Sequence, residues 1–183
     1  GLLEKDSGEV NISGGDVAMV FQYSALFDSL NVFDNISFAL QERKDLRNKY
    51  TRKELEKIVA EKLELVGLSG IENKFPSELS GGMQKRAGLA RAIVLEPQLL
   101  FFDEPSAGLD PLAAAGLDKL ILSMREKLGV TVVVVTHEMG FAREVGDRVV
   151  FMDEGRIMEQ GTPDEIFTSP QNPRLQDFLS KVL

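Results

Sequence analysis

Residues 99–137 read LLFFDEPSAGLDPLAAAGLDKLILSMREKLGVTVVVVTH. The apolar run Leu99-Leu100-Phe101-Phe102 has the character of a buried strand and ends on two carboxylates, Asp103 and Glu104, followed by Pro105. Asp110 then stands as a helix cap with Pro111 at the first helical position. Leu117, Leu120, Ile121, Met124 and Leu128 recur along one helical face, and Gly129 closes the helix. The next run, Val130-Thr131-Val132-Val133-Val134-Val135, is β-branched and unbroken, which predicts a strand covered on both faces. Strand, helix and strand in this order make a βαβ unit. The chain therefore reads as α/β with a parallel sheet, and ligands of such sheets bind at the carboxyl ends of the strands.

Working outward, apolar Val32, Phe33, Ile36 and Leu40 predict a helix, followed by a charged, solvated loop over residues 41–53. Thr51-Arg52-Lys53-Glu54 fits a capping box, and Leu55, Ile58, Val59, Leu63 and Val66 keep the helical period up to Gly67. Residues 87–94 predict another helix, ended by Pro97. Near the start, residues 8–12 and 17–21 read as two short strands joined into a hairpin by Ser13-Gly14-Gly15-Asp16. A second hairpin is predicted from residues 149–152 and 156–159 around Asp153-Glu154-Gly155. Thr162-Pro163-Asp164-Glu165 is a further capping box, and Leu175, Phe178, Leu179 and Val182 mark a closing amphipathic helix. No internal repeat interrupts this order.

Composition excludes several classes of function. With 183 residues, one domain is the default reading. Lys and Arg number 21 against 29 Asp and Glu, a net charge of −8, which argues against a nucleic-acid partner held by general attraction to phosphates. The absence of Cys removes disulfides, thiolate metal sites and a Cys nucleophile, and a single His removes a multi-His metal centre. No apolar run reaches the roughly 18–20 residues of a membrane span, so a membrane role would be peripheral.

Three features carry chemistry. Leu79-Ser80-Gly81-Gly82-Met83-Gln84 stands just before a helix, where unpaired amides and the positive end of the helix dipole can cap a phosphate that no side chain blocks. Taken alone, Ser-Gly-Gly is more often a plain glycine-rich turn with Ser80 as its cap. Asp103 and Glu104, at a strand's carboxyl end, suit a Mg²⁺ ligand and a base that polarises water, although two carboxylates can also merely cap a turn. His137 ends the neighbouring strand, one βαβ step later, which puts its imidazole beside Asp103 and Glu104. Gln22 ends the apolar run Ala18-Met19-Val20-Phe21 and has an amide oxygen to offer a metal.

In this order the motifs resemble those of the nucleotide-binding domain of ABC transporters, and the resemblance runs across essentially the whole chain. Residues 79–84 are similar to the signature motif, residues 99–104 to Walker B with its catalytic Glu, and Ser106-Ala107-Gly108-Leu109-Asp110 to the D-loop. His137 resembles the switch histidine and Gln22 the Q-loop glutamine. The resemblance implies a P-loop NTPase-like α/β fold, with a mostly parallel sheet and a helical subdomain. Residues 1–22 and 96–161 would form the sheet core, 23–95 the helical and signature region, and 162–183 the C-terminal helices. It implies ATP and Mg²⁺ as ligands, with Asp103 and Gln22 attending the metal, Glu104 activating water and His137 sensing the γ-phosphate. Ser80, Gly81, Gly82 and Gln84 would lie against ATP held mainly by an opposing subunit, and Asp110 would cross that dimer interface. The implied partners are a second nucleotide-binding domain and a transmembrane permease, touched by the region between Gln22 and Ser80. The implied place is the cytoplasmic face of a bacterial inner membrane.

The chain also departs from the family. The phosphate-loop pattern G-x-x-x-x-G-K-[ST] is absent from the 183 residues. Gly1-Leu2-Leu3-Glu4 onward resembles the segment after the Walker A helix, so the domain is expected to be N-terminally incomplete and, by itself, inactive as an ATPase. At residues 13–17 the family usually inserts a short charged helical stretch. Residues 20–30 and 103–111 resemble the ATPases of Mla or MCE-type lipid transport. Residues 136–142 and 166–170 resemble those of polar amino-acid importers. Lipid transport is the first expectation, since the Q-loop region bears most closely on coupling to the membrane subunit. A non-catalytic partner completing another subunit's ATP site and a soluble ABC protein remain alternatives.

Overall fold

A computed structural model describes residues 6–12 and 15–182. Three strands, β1 (Val17–Val20), β2 (Leu99–Asp103) and β3 (Thr131–Val135), form a parallel sheet in the order β1-β2-β3. Val20 pairs with Phe102 and Phe102 with Val134, so the three strands end at one edge. Between β1 and β2 run α1 (Val32–Glu42), α2 (Arg52–Leu65) and α3 (Gly81–Ile93). Leu63, Leu89, Ile93, Leu100 and Phe102 share one apolar core, which ties these helices to the sheet.

Local chemistry sets the helix ends. The Thr51 hydroxyl accepts from the Glu54 amide and the Glu54 carboxylate accepts from the Thr51 amide, as the capping box predicts. The crossover helix α4 (Pro111–Leu128) joins β2 to β3, and Asp110 accepts there from the Leu112 and Ala113 amides, both at 3.0 Å. Gly129 ends α4 with a left-handed φ of 62°, a conformation that costs glycine little.

Beyond β3, the short helix α5 (Met139–Val145) leads to an antiparallel pair, β4 (Val149–Asp153) and β5 (Arg156–Gly161), the second predicted hairpin. The helices α6 (Pro163–Thr168), with its Thr162 capping box, and α7 (Pro173–Val182) close the chain. Ile166, Phe167, Leu175 and Leu179 form a separate small core there.

Three expectations are corrected. Residues 8–12 form no strand and make no hairpin with β1, which instead pairs in parallel with β2 in the register Val17 to Leu99. The Gln98 amide donates to the Asp16 carbonyl at 2.9 Å and starts that register, while residues 8–12 are exposed, Val10 and Ile12 included. Ser13 and Gly14 of the expected turn lie outside the described residues, as does the stretch 1–5. The strand β3 is covered on one face only. Val132 and Val134 pack on the core, whereas Val133 is 40% and Val135 59% exposed. The core shared with α1, α2, α3 and α4 covers one side of the parallel sheet, and Val17, Met19 and Val133 share the other, exposed side. The third helix is longer than predicted, because Ser80 caps it and both glycines lie in its first turn.

Candidate functional site

The carboxyl edge of the sheet gathers Gln22, Asp103, Glu104 and His137 at the ends of β1, β2 and β3. Glu104 follows β2 in a left-handed conformation, φ 45°, that a residue with a side chain reaches at a cost of about 1–3 kcal/mol. Its amide donates to the Val135 carbonyl at 2.9 Å, which fixes the turn. His137 Nδ1 lies 2.8 Å from Glu104 Oε1, with the imidazole side chain 75% exposed and the carboxylate 20%. The bond to Glu104 raises the pKa of His137 above its ordinary value, with the negative charges of Glu104 and Glu138 adding to the effect. Glu104 Oε2 is enclosed without a hydrogen-bond partner. Such an acceptor costs roughly 1–3 kcal/mol until a donor reaches it, and a water molecule is a chemically suitable donor.

Gln22 is exposed at the same edge, two residues beyond Val20 as Glu104 is two beyond Phe102. Its segment is pinned by α3. Arg91 donates to the Ala25 carbonyl at 2.7 Å, and a Cβ on Gly88 would stand only 2.9 Å from the Ser24 carbonyl oxygen. Gly88 thus permits a close approach of backbone to helix that no other residue would.

For a divalent cation this chain offers the Asp103 carboxylate and the Gln22 amide oxygen, hard donors of the kind Mg²⁺ takes. Among the described residues no group of three or more His, Asp or Glu side chains converges as a metal cage. The residues therefore fit a cation whose other positions are filled by phosphate oxygens and water.

The second group lies at the N-terminus of α3. The Ser80 hydroxyl accepts from the Met83 amide at 3.3 Å and its carbonyl from the Gln84 amide at 2.9 Å. That leaves Gly81 and Gly82 with first-turn amides that have no partner inside the helix, at the positive end of 13 residues of helix dipole. Gln84 differs from expectation: its side-chain amide turns back to donate to the Pro76 carbonyl at 2.9 Å and to that of Leu79. Asp110 spends its carboxylate on capping α4, whose start adjoins the glycines. A Cβ on Gly82 would lie 3.8 Å from Ala113 Cβ, and one on Gly81 3.9 Å from Leu109 Cδ2.

Among the described residues no hydrogen bond or ion pair joins Ser80, Gly81 or Gly82 directly to Glu104 or His137. The loop 104–110 lies between them; Ser106, of the D-loop stretch, bonds out of it to Glu138, and Lys85 bonds into it, Lys85 and Glu138 being residues to which sequence reasoning assigned no role. The available signal was spacing, since Lys85 stands one helical turn beyond Gly81 and on the same face.

A family model described as "ABC transporter" matches residues 1–107. The methionine import ATP-binding protein MetN of Carboxydothermus hydrogenoformans is 38% identical over the whole of this chain and 57% of its own length. The glutamate transport ATP-binding protein GluA of Corynebacterium glutamicum is 42% identical over the whole chain and 73% of its own. The chain thus spans between about half and three quarters of the length of these relatives. The solved structure of cbiO1 from Clostridium perfringens, described as part of the ABC transporter complex cbiONQ, superposes with a TM-score of 0.74. It is 32% identical, over 91% of this chain and 62% of that one. An α/β fold with a parallel sheet, the signature and Walker B sequences in order, and these likenesses lead to one conclusion: the chain belongs to the ABC transporter ATP-binding family.

Proposed function

We propose that the chain forms part of an ATP-hydrolysing subunit that powers an ABC transporter. The observation that carries this reading is the pairing of His137 with Glu104 at the strand edge, which engages Oε1 and leaves the enclosed Oε2 free to accept from a water molecule. Glu104 polarises that water for attack on the γ-phosphate of ATP, and His137 orients the carboxylate while contacting the same phosphate. Asp103 and Gln22 attend Mg²⁺. When bound, Mg²⁺ neutralises charge on the phosphate oxygens. Ser80, Gly81 and Gly82 cap the γ-phosphate of ATP held by a second copy or a similar domain, and Asp110 stands at that interface.

The subunit is peripheral, at the cytoplasmic face of a membrane, and docks on a permease through residues 23–79. No helix among the described residues is long and apolar enough to cross a membrane. The cargo of the first reading is lipid, on the residues around Gln22. The second reading, a polar amino acid, is favoured by the relative named for glutamate transport.

Without a phosphate-loop sequence, the 183 residues alone are expected to turn over no ATP. The test is ATP turnover by the complete gene product purified with its permease, and its stimulation by phospholipid vesicles or by a panel of amino acids. A gene product that binds ATP but is insensitive to Glu104→Gln would favour the non-catalytic partner.

A further inference from the structure

The buried part of the loop 104–110 is held from two sides. Lys85, in the second turn of α3, donates from Nζ to the carbonyl oxygens of Pro105 at 2.6 Å and Ala107 at 2.5 Å. From the other side Ser106, only 2% exposed, donates its hydroxyl proton to Glu138 Oε1 at 2.9 Å. Glu138 is itself fixed, its amide donating to Thr136 Oγ1 at 3.0 Å, and it adjoins His137. The loop needs such anchors, because both Glu104 (φ 45°) and Gly108 (φ 76°) turn the backbone left-handed around the held stretch. Burial lowers the pKa of Lys85, while the charges of Glu138 and Glu104 oppose that shift, so the ammonium sits within reach of both carboxylates' fields.

We propose that Lys85 and Glu138 are positioning residues that clamp Pro105-Ser106-Ala107 between α3 and the His137 turn, so that the Ser80-Gly81-Gly82 cap and the Glu104 carboxylate move as one body. Lys85 reaches the loop from the helix that carries the cap. Glu138 reaches it from the segment that carries His137. A displacement of either end is passed to the other through three hydrogen bonds rather than through flexible chain. The kinetic consequence rests on the ATPase reading; the clamp itself does not.

Backbone hydrogen exchange in the complete gene product tests it. The Ala107 amide donates to the Glu104 carbonyl at 3.2 Å and the Leu109 amide to that of Ser106 at 3.1 Å, and these two bonds report on the loop. Lys85→Met and Glu138→Ala are each expected to speed exchange at Ala107 and Leu109 at least tenfold, while Leu89 and Ile93 inside α3 keep their protection. Glu138→Gln keeps an oxygen that accepts from Ser106 and restores slow exchange. In turnover, Lys85→Met lowers kcat about tenfold with KM for ATP unchanged, and Lys85→Arg recovers most of it. Unchanged loop exchange in both Lys85→Met and Glu138→Ala overturns the clamp, as does a general loss of protection throughout α3. Faster loop exchange with an unchanged kcat overturns its role in catalysis. A wild-type protein without ATP turnover overturns the ATPase reading instead, and the exchange result then decides the clamp alone.

Discussion

The N-terminus of α3 and the carboxyl end of β2 both adjoin the loop 104–110, which leaves β2 and which Lys85 of α3 holds, yet they are made of different chemistry. At α3 the groups proposed to act are backbone amides of Ser80, Gly81 and Gly82, and the glycines carry nothing that would cover them. At β2 they are side chains, a carboxylate and an imidazole 2.8 Å apart on a backbone held in an uncommon conformation. A cap of amides is broken by adding atoms. A side-chain centre is broken by removing them.

The largest effect is therefore expected at the side-chain end. Glu104→Gln in the complete gene product keeps the volume but loses the base, and should lower ATP turnover by about 10²–10⁴-fold with nucleotide binding retained. Steady-state turnover and ATP titration measure the two, and an effect below tenfold would break the assignment of Glu104 as base.

Next in size is the packing that holds the Gln22 segment. A methyl at Gly88 meets the Ser24 carbonyl oxygen at 2.9 Å, so Gly88→Ala should destabilise by about 1–3 kcal/mol, read by chemical denaturation. Gly82→Ala gives the opposite result on stability. Its methyl would find ordinary contact at 3.8 Å from Ala113 Cβ, and alanine favours a helix by up to about 1 kcal/mol, so the melting temperature should hold or rise. Turnover should nevertheless fall, because the added atom stands where a phosphate would approach. If both stability and turnover survive, the glycines are a turn and not a cap.

These contrasts also explain what the sequence made legible. Capping boxes at Thr51 and Thr162, the Asp110 cap and the β2–α4–β3 unit depend on neighbours along the chain, and all three caps form as their spacing predicts. The pairing of His137 with Glu104 followed from strand order. The hairpin at residues 8–21 did not form, because β1 had a partner in β2 that lies far away in sequence. The same reason hid what Lys85, Ser106 and Glu138 touch. Their bonds span 20 to 32 residues, and a lysine in a helix or a serine in a loop gives no sign of what it will touch. Gln84 is read with its motif, and its side-chain amide also donates to the Pro76 carbonyl, a contact that spacing does not reveal.

A subtler measurement concerns charge around the clamp. Asp118, on α4, has a carboxyl oxygen enclosed without a partner, and burial together with the negative charges of Glu138 and Glu144 raises its pKa to about 6. The ordinary value is 3.8, so the folded protein keeps a proton that the unfolded chain gives up between pH 3.8 and about 6. Stability from this group is thus present in acid and lost as pH rises through that window. Asp118→Asn removes the penalty, and after discounting for solvent screening should stabilise by about 1 kcal/mol at pH 7 and by little at pH 4. Denaturation curves at the two pH values measure the difference, and an equal effect at both would show that the enclosed oxygen, not the charge, matters.

The smallest effect sharpens the comparison most directly. His137 is the only histidine in the chain, so its ring protons titrate without overlap. The bond to Glu104 favours the imidazolium, so the midpoint should lie above 6.5, the pair being held below that pH and released as pH rises through the raised value. Glu104→Gln should bring the midpoint back down, whereas Gly82→Ala, at the amide end, should leave it in place. A midpoint that moves equally with both would mean that the two ends share one electrostatic environment. A midpoint that ignores Glu104→Gln would remove the pairing on which the side-chain end depends.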